Sequence, residues 1–135
     1  MFRFTVFGLF LAIFLVSSKN AAAKFDGSVP LLCAPIHTIE CDSKEECIHG
    51  GAEDVNLPQF IRINFKDKIL QSVGDNNRQT EIQSMARSNG KMLMQGLQEG
   101  RGWTIVISEE TGRMAATVSE SEFGFIVFGA CTPVK

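Results

Sequence analysis

The sequence predicts an all-β domain: a small up-and-down antiparallel sheet curled into a barrel or a barrel-like sheet, preceded by a signal peptide. Three observations carry this expectation. Residues 103–132, WTIVISEETGRMAATVSESEFGFIVFGACT, are three alternating apolar runs separated by two short polar turns. Asn89-Gly90 lies between two strand-like runs, and that pair supplies the positive φ angles a type I′ hairpin demands. Four cysteines, an even number, all lie beyond an apolar N-terminal stretch.

That stretch comes first. Residues 1–23, MFRFTVFGLFLAIFLVSSKNAAA, have Arg3 near the start, an apolar run over residues 5–16 and a small-residue end, Ala21-Ala22-Ala23. This is the layout of a secretory signal peptide with an A-x-A-like cleavage site, placed after Ala23. The run is short for a membrane anchor, which needs about 20 apolar residues. Residues 24–135 are then expected to form a single β-domain, long enough for one core and not two.

Of the 13 Lys and Arg, Arg3 and Lys19 leave with the signal peptide, so 11 basic residues face 15 acidic ones, a net charge of −4. Phosphate binding needs clustered Lys and Arg, so a mildly acidic, evenly charged surface argues against a nucleic-acid partner.

Behind a signal peptide, Cys33, Cys41, Cys47 and Cys131 read as two disulfides. Four cysteines allow three pairings. The favoured one joins Cys41 to Cys47 as a local clip and Cys33 to Cys131 as a staple between the ends of the domain. In the chain-entropy treatment these contribute about 2 and about 4–5 kcal/mol.

The elements follow in order. Residues 24–30 are polar and hold Gly27 and Pro30, and read as a loose N-terminal arm. Residues 31–40, LLCAPIHTIE, look extended, but Pro35 lacks the ladder N–H, which predicts an edge strand or two short pieces. Residues 41–58 read as a polar loop shaped by the local disulfide. FIRINF, residues 60–65, sets Ile61, Ile63 and Phe65 on one face, the mark of a half-buried strand. Lys66-Asp67-Lys68 turns the chain into a returning strand at Ile69. GDNNRQ, residues 74–79, is a turn-rich loop, and residues 81–87 are a weaker strand. After Asn89-Gly90, Met92 and Met94 share one face of the next strand, with Leu93 and Leu97 on the other. Residues 79–98 also admit a helical reading, against which Asn89-Gly90 argues.

Residues 99–102, Glu-Gly-Arg-Gly, make a flexible turn. Trp103, Ile105 and Ile107 then share a face; Met114, Ala116 and Val118 repeat the pattern after a turn closing on Gly112. In the last strand both faces become apolar, which places it centrally or at a barrel seam. Six to eight short strands with local turns must curl or close to hide their edges.

The chemistry-bearing residues are sparse. There are two histidines, His37 and His49, no tyrosine, and no G-x-S-x-G or H-E-x-x-H. The acidic residues fall mostly in turns, where carboxylates are ordinarily solvated. No catalytic residue, metal site or cofactor is therefore expected. Cys33, His37, Cys41, Cys47 and His49 cluster in sequence, but without paired C-x-x-C spacing, and oxidising surroundings favour disulfides. The candidate binding residues are Trp103, the single tryptophan, with Arg101 beside it at a barrel mouth, and His49 near the clipped loop. For Trp103 the competing reading is a core or barrel-plugging side chain. Met85, Met92, Met94 and Met114 either fill core gaps or line an adaptable apolar pocket.

LPQFIRINF (residues 57–65), GRGWTIVISEETGRM (residues 100–114) and FGFIVFGACTP (residues 123–133) resemble a family of short exported bacterial β-rich proteins of unassigned function. The resemblance covers most of residues 24–135 and implies an exported, disulfide-containing β-domain with no stated activity. In size, signal peptide and terminal cysteine bridge the chain is also similar to the small β-barrel inhibitors of lysozyme in Gram-negative periplasms; none of their inhibitory residues aligns here.

The functional expectation is an exported, non-catalytic domain, periplasmic or extracellular, acting as a binding or envelope-associated accessory protein. The partner is an unidentified protein or small molecule, and no transmembrane segment remains after signal cleavage. Two alternatives stand beside it: a secreted inhibitor or partner of a cell-wall enzyme such as lysozyme, and a small lipocalin-like carrier of an apolar molecule. A carrier needs an empty apolar interior lined by Met and Phe. An inhibitor needs a rigid exposed loop and a filled core.

Overall fold

The computed structural model describes residues 24–74 and 77–135; the signal peptide expected at residues 1–23 lies outside them. The described residues form ten strands: β1 (Leu31–Asp42), β2 (Cys47–Gly50), β3 (Phe60–Asn64), β4 (Ile69–Val73), β5 (Gln79–Glu81), β6 (Ser84–Ser88), β7 (Lys91–Gln98), β8 (Arg101–Ser108), β9 (Arg113–Ser119) and β10 (Phe123–Pro133). All pair antiparallel in one sheet of order β5-β4-β3-β1-β10-β9-β8-β7-β6, with β2 added to β1. The sheet is curled into a half-barrel.

The curl follows from the connection between its two outer strands. β5 ends one side of the sheet and β6 the other, yet only Ile82 and Gln83 separate them. Three residue steps span at most about 11 Å, so the two sides must approach. The Ile82 N–H donates to the carbonyl of Lys68, the residue just before β4, and the Gln83 N–H donates to the Gln95 carbonyl in β7. These adjacent amides stitch the two sides together, and Ile82 is buried at the seam.

Period-two patterning becomes burial as expected. Trp103, Ile105 and Ile107 of β8 face inward; Ile105 and Ile107 stand opposite Met94 and Met92 of β7. Asn89 and Gly90 take φ of 49° and 70° and close the β6–β7 hairpin. Residues 79–98 are thus strands and not a helix. The turn expected over residues 99–102 is tighter: Glu99 and Gly100 make it, and Arg101 already belongs to β8.

Among the described residues the strands number ten rather than six to eight, and the single strand expected over residues 81–87 is divided between β5 and β6. Three further expectations change. First, β1 is one strand of 12 residues at the centre of the sheet, not an edge. It absorbs Pro35 at a bulge, where the register against β10 slips between Pro35 and His37. Bulges are among the few places a sheet tolerates proline. Second, residues 41–58 are not simply a loop. The clip joins directly facing residues of a hairpin, since Cys41 pairs with Cys47, and the 3₁₀ turn Glu53–Val55 follows. Third, the N-terminal arm is docked: Phe25 is buried against Gly112.

Both disulfides form in the favoured pairing, Cys33–Cys131 and Cys41–Cys47. Each is a cross-strand link, with Cys33 facing Cys131 between β1 and β10. They mark an oxidising compartment. Among the described residues no helix is long and apolar enough to cross a membrane.

Side chains fill one end of the half-barrel. Leu31, Ile63, Met92, Met94 and Ile107 have at most 1% of their surface exposed and pack there with Phe25, Phe65 and the Cys33–Cys131 bridge.

Candidate functional site

The other end is hollow, and the reason lies in β1. One edge of β1 pairs with β10 along its whole length. The opposite edge serves two partners in turn: β3 over residues 31–33, and β2 over residues 38–41. The change of partner falls at the Pro35 bulge. Beyond Cys33, β3 has left β1, and a notch opens between β1 and the β3–β4 hairpin.

Residues 55–58 line that notch. Their path is held by three local bonds. The Thr38 hydroxyl donates to the Gly51 carbonyl (2.9 Å), and the Leu57 N–H donates to the Ala52 carbonyl (2.8 Å). The Gly51 N–H donates to Asp54 Oδ2 (2.7 Å). Thr38 is buried, so its hydroxyl bond ties this segment to the sheet from within.

The notch leads into a cavity of about 400 Å³ that opens to solvent. Its inner wall is apolar: Ile61, Trp103, Ile105, Met114, Phe125 and Val127. Ala116 contributes little bulk between Ile105 and Val127, its cross-strand neighbours. The rim is polar, with Asn56, Gln71, Gln79 and Gln98 among its residues. The volume falls in the range of small-molecule sites, about 300–1,000 Å³, and an apolar wall with a few polar groups is their usual make-up.

The sequence-predicted residues part company here. Trp103 is 7% exposed; it belongs to the core and also lines the cavity wall. Its Nε1–H donates to Thr80 Oγ1 at 3.3 Å. Its ring lies so close over Gly96 that a Cβ there would overlap it. Arg101 reaches the rim, but its Nε–H donates to Glu120 at 3.0 Å and its guanidinium sits 5.2 Å from the centre of the Phe123 ring. His49 is exposed on β2, opposite Ile39, and does not line the cavity. Of the methionines, Met114 reaches the cavity, Met92 and Met94 fill the packed end, and Met85 is exposed. All four cysteines are bridged and hold no thiolate for a metal.

Arg78 was not legible as a site residue. It sits in the GDNNRQ loop, where nothing in the spacing marks it. Its N–H donates to Ser72 Oγ (2.9 Å), and the Ser72 N–H donates to its carbonyl (2.8 Å), so its backbone is fixed at the rim. Its Nε is buried with no hydrogen-bond partner among the described residues.

The chain matches no protein-family model, no curated protein and no solved structure.

Proposed function

We propose that this chain is an exported, non-catalytic binding protein that holds a small apolar molecule in the hollow end of its half-barrel. One observation carries the reading: a cavity of about 400 Å³, apolar inside and polar at the rim, that opens to solvent. Of the readings drawn from the sequence, a carrier alone requires an empty apolar interior lined by Met and Phe, and Met114 and Phe125 are in the wall. Inhibition of a cell-wall enzyme rests only on the exposed, disulfide-clipped tip of the β1–β2 hairpin, and it calls for a filled core. The likeness to short exported bacterial β-rich proteins agrees with a periplasmic or extracellular site of action and supplies no ligand.

Trp103 provides the test, because the chain's single tryptophan lines the cavity. An apolar fluorescent probe such as N-phenyl-1-naphthylamine should bind saturably, one per folded chain, and accept energy from Trp103. Absence of saturable binding to the disulfide-bonded protein overturns the proposal.

A further inference from the structure

We infer that the ligand is an apolar carboxylate, with its acid group on Arg78 and its chain along Trp103, Ile105 and Phe125. The inference rests on the reading of the hollow end as a ligand site, and it names the chemistry of what enters.

Arg78 is the reason. A guanidinium stays charged at any physiological pH and offers only donors. Burying one of its N–H groups without an acceptor is costly, and nearly all buried donors in folded proteins have a partner. The Arg78 Nε has none among the described residues, although Arg78 lines an open cavity. No carboxylate among the described residues lies within ion-pair distance of it, whereas Arg87 and Arg101 are matched to Glu109 and Glu120. Among the described residues the rim therefore carries two arginines, of which one is paired with a carboxylate. The acidic rim residue, Glu99, is exposed and screened by water.

The surroundings suit an acid group. Ser72 is 8% exposed and lines the same wall; its Oγ accepts from the Arg78 N–H, and its own O–H proton remains available to a ligand oxygen. One backbone bond and one backbone-to-hydroxyl bond hold Ser72 and the Arg78 backbone in register. A carboxylate placed there accepts charge-assisted bonds, the stronger kind, from the guanidinium of Arg78. Inward from that point the wall is apolar, which leaves an alkyl or aryl chain as the remainder of the molecule.

The experiment compares decanoate with decanol at neutral pH, where the acid is ionised, reading quenching of Trp103 and heat of binding. Decanoate should bind about tenfold more tightly or better. Arg78→Gln should remove that preference by weakening decanoate to the level of decanol, with decanol unchanged. Arg62→Gln, an exposed residue of β3 outside the cavity, should alter neither. Decanol binding as well as decanoate to the unaltered protein overturns the inference and leaves the apolar-ligand reading intact. A preference that survives Arg78→Gln does the same. Failure of both probes to bind removes the cavity reading and the inference with it. Should Arg78→Gln not fold by circular dichroism, the comparison on the unaltered protein decides alone.

Discussion

Ala116→Leu separates a hollow interior from a filled one by the sign of its effect. Ala116 faces inward on β9, directly opposite Ile105 on β8 and Val127 on β10, and lines the cavity. Leucine adds three carbons. At about 0.8 kcal/mol per buried methylene, full burial would stabilise the fold by about 2 kcal/mol. The cavity is open to solvent, so roughly half of that is realised, or about 1 kcal/mol. The same insertion into a close-packed core would cost about 1–3 kcal/mol. Urea unfolding at constant slope reads the difference directly. The midpoint should rise, and thermal unfolding should move up by about 4 °C. Affinity for an apolar probe should fall at least about tenfold, because the side chain occupies the space the probe needs. A lowered midpoint would refute the hollow interior. A raised midpoint with probe binding intact would refute the placement of the ligand.

Gly96→Ala sets a Cβ against the Trp103 indole and the Glu81 carbonyl; it should cost about 1–3 kcal/mol in urea unfolding and shift Trp103 emission to the red. Replacing Cys33 and Cys131 by alanine opens a link across 98 residues and should cost up to about 4–5 kcal/mol, enough to threaten folding. Replacing Cys41 and Cys47 by serine opens a link of only 6 residues; it should cost about 2 kcal/mol and leave probe binding unchanged, since neither residue lines the cavity.

What could be read in the sequence was whatever depends on local pattern. Alternation fixed the inward faces of β7, β8 and β9, and Asn89-Gly90 fixed a hairpin because few other pairs accept two positive φ angles. The cysteines paired as expected because each bridge joins residues that face each other across a ladder. What stayed hidden depends on partners distant in sequence. Pro35 reads as an edge signal because its missing donor is a local property; that a bulge would accommodate it inside the longest ladder is not. Residues 47–50 alternate too weakly to declare a strand, and their pairing comes from the adjacent edge of β1 being free. Phe25 shows no pattern at all, and its burial depends on the small residue at position 112. Arg78 is one polar residue among several in a loop until the fold sets Ser72 beside it and a cavity in front of it.

The open notch is what makes the cavity compatible with a stable fold. An enclosed, dry void costs about 24 cal/mol per Å³. For a cavity of about 400 Å³ that would be about 10 kcal/mol, comparable to the entire stability of a domain at about 5–15 kcal/mol. A sealed empty interior of this size would offset most of that stability. Because the space is open to solvent, water or a ligand can occupy it, and that cost is not incurred. The arrangement of the two disulfides fits that geometry. Cys33–Cys131 lies where β3 is still paired to β1, at the packed end, and Cys41–Cys47 secures β2 on the edge that β3 has left. The packed end and its long staple supply stability that the hollow end cannot. The Pro35 bulge marks the boundary between them, so the residue that most misled the sequence reading stands at the point where the cavity begins.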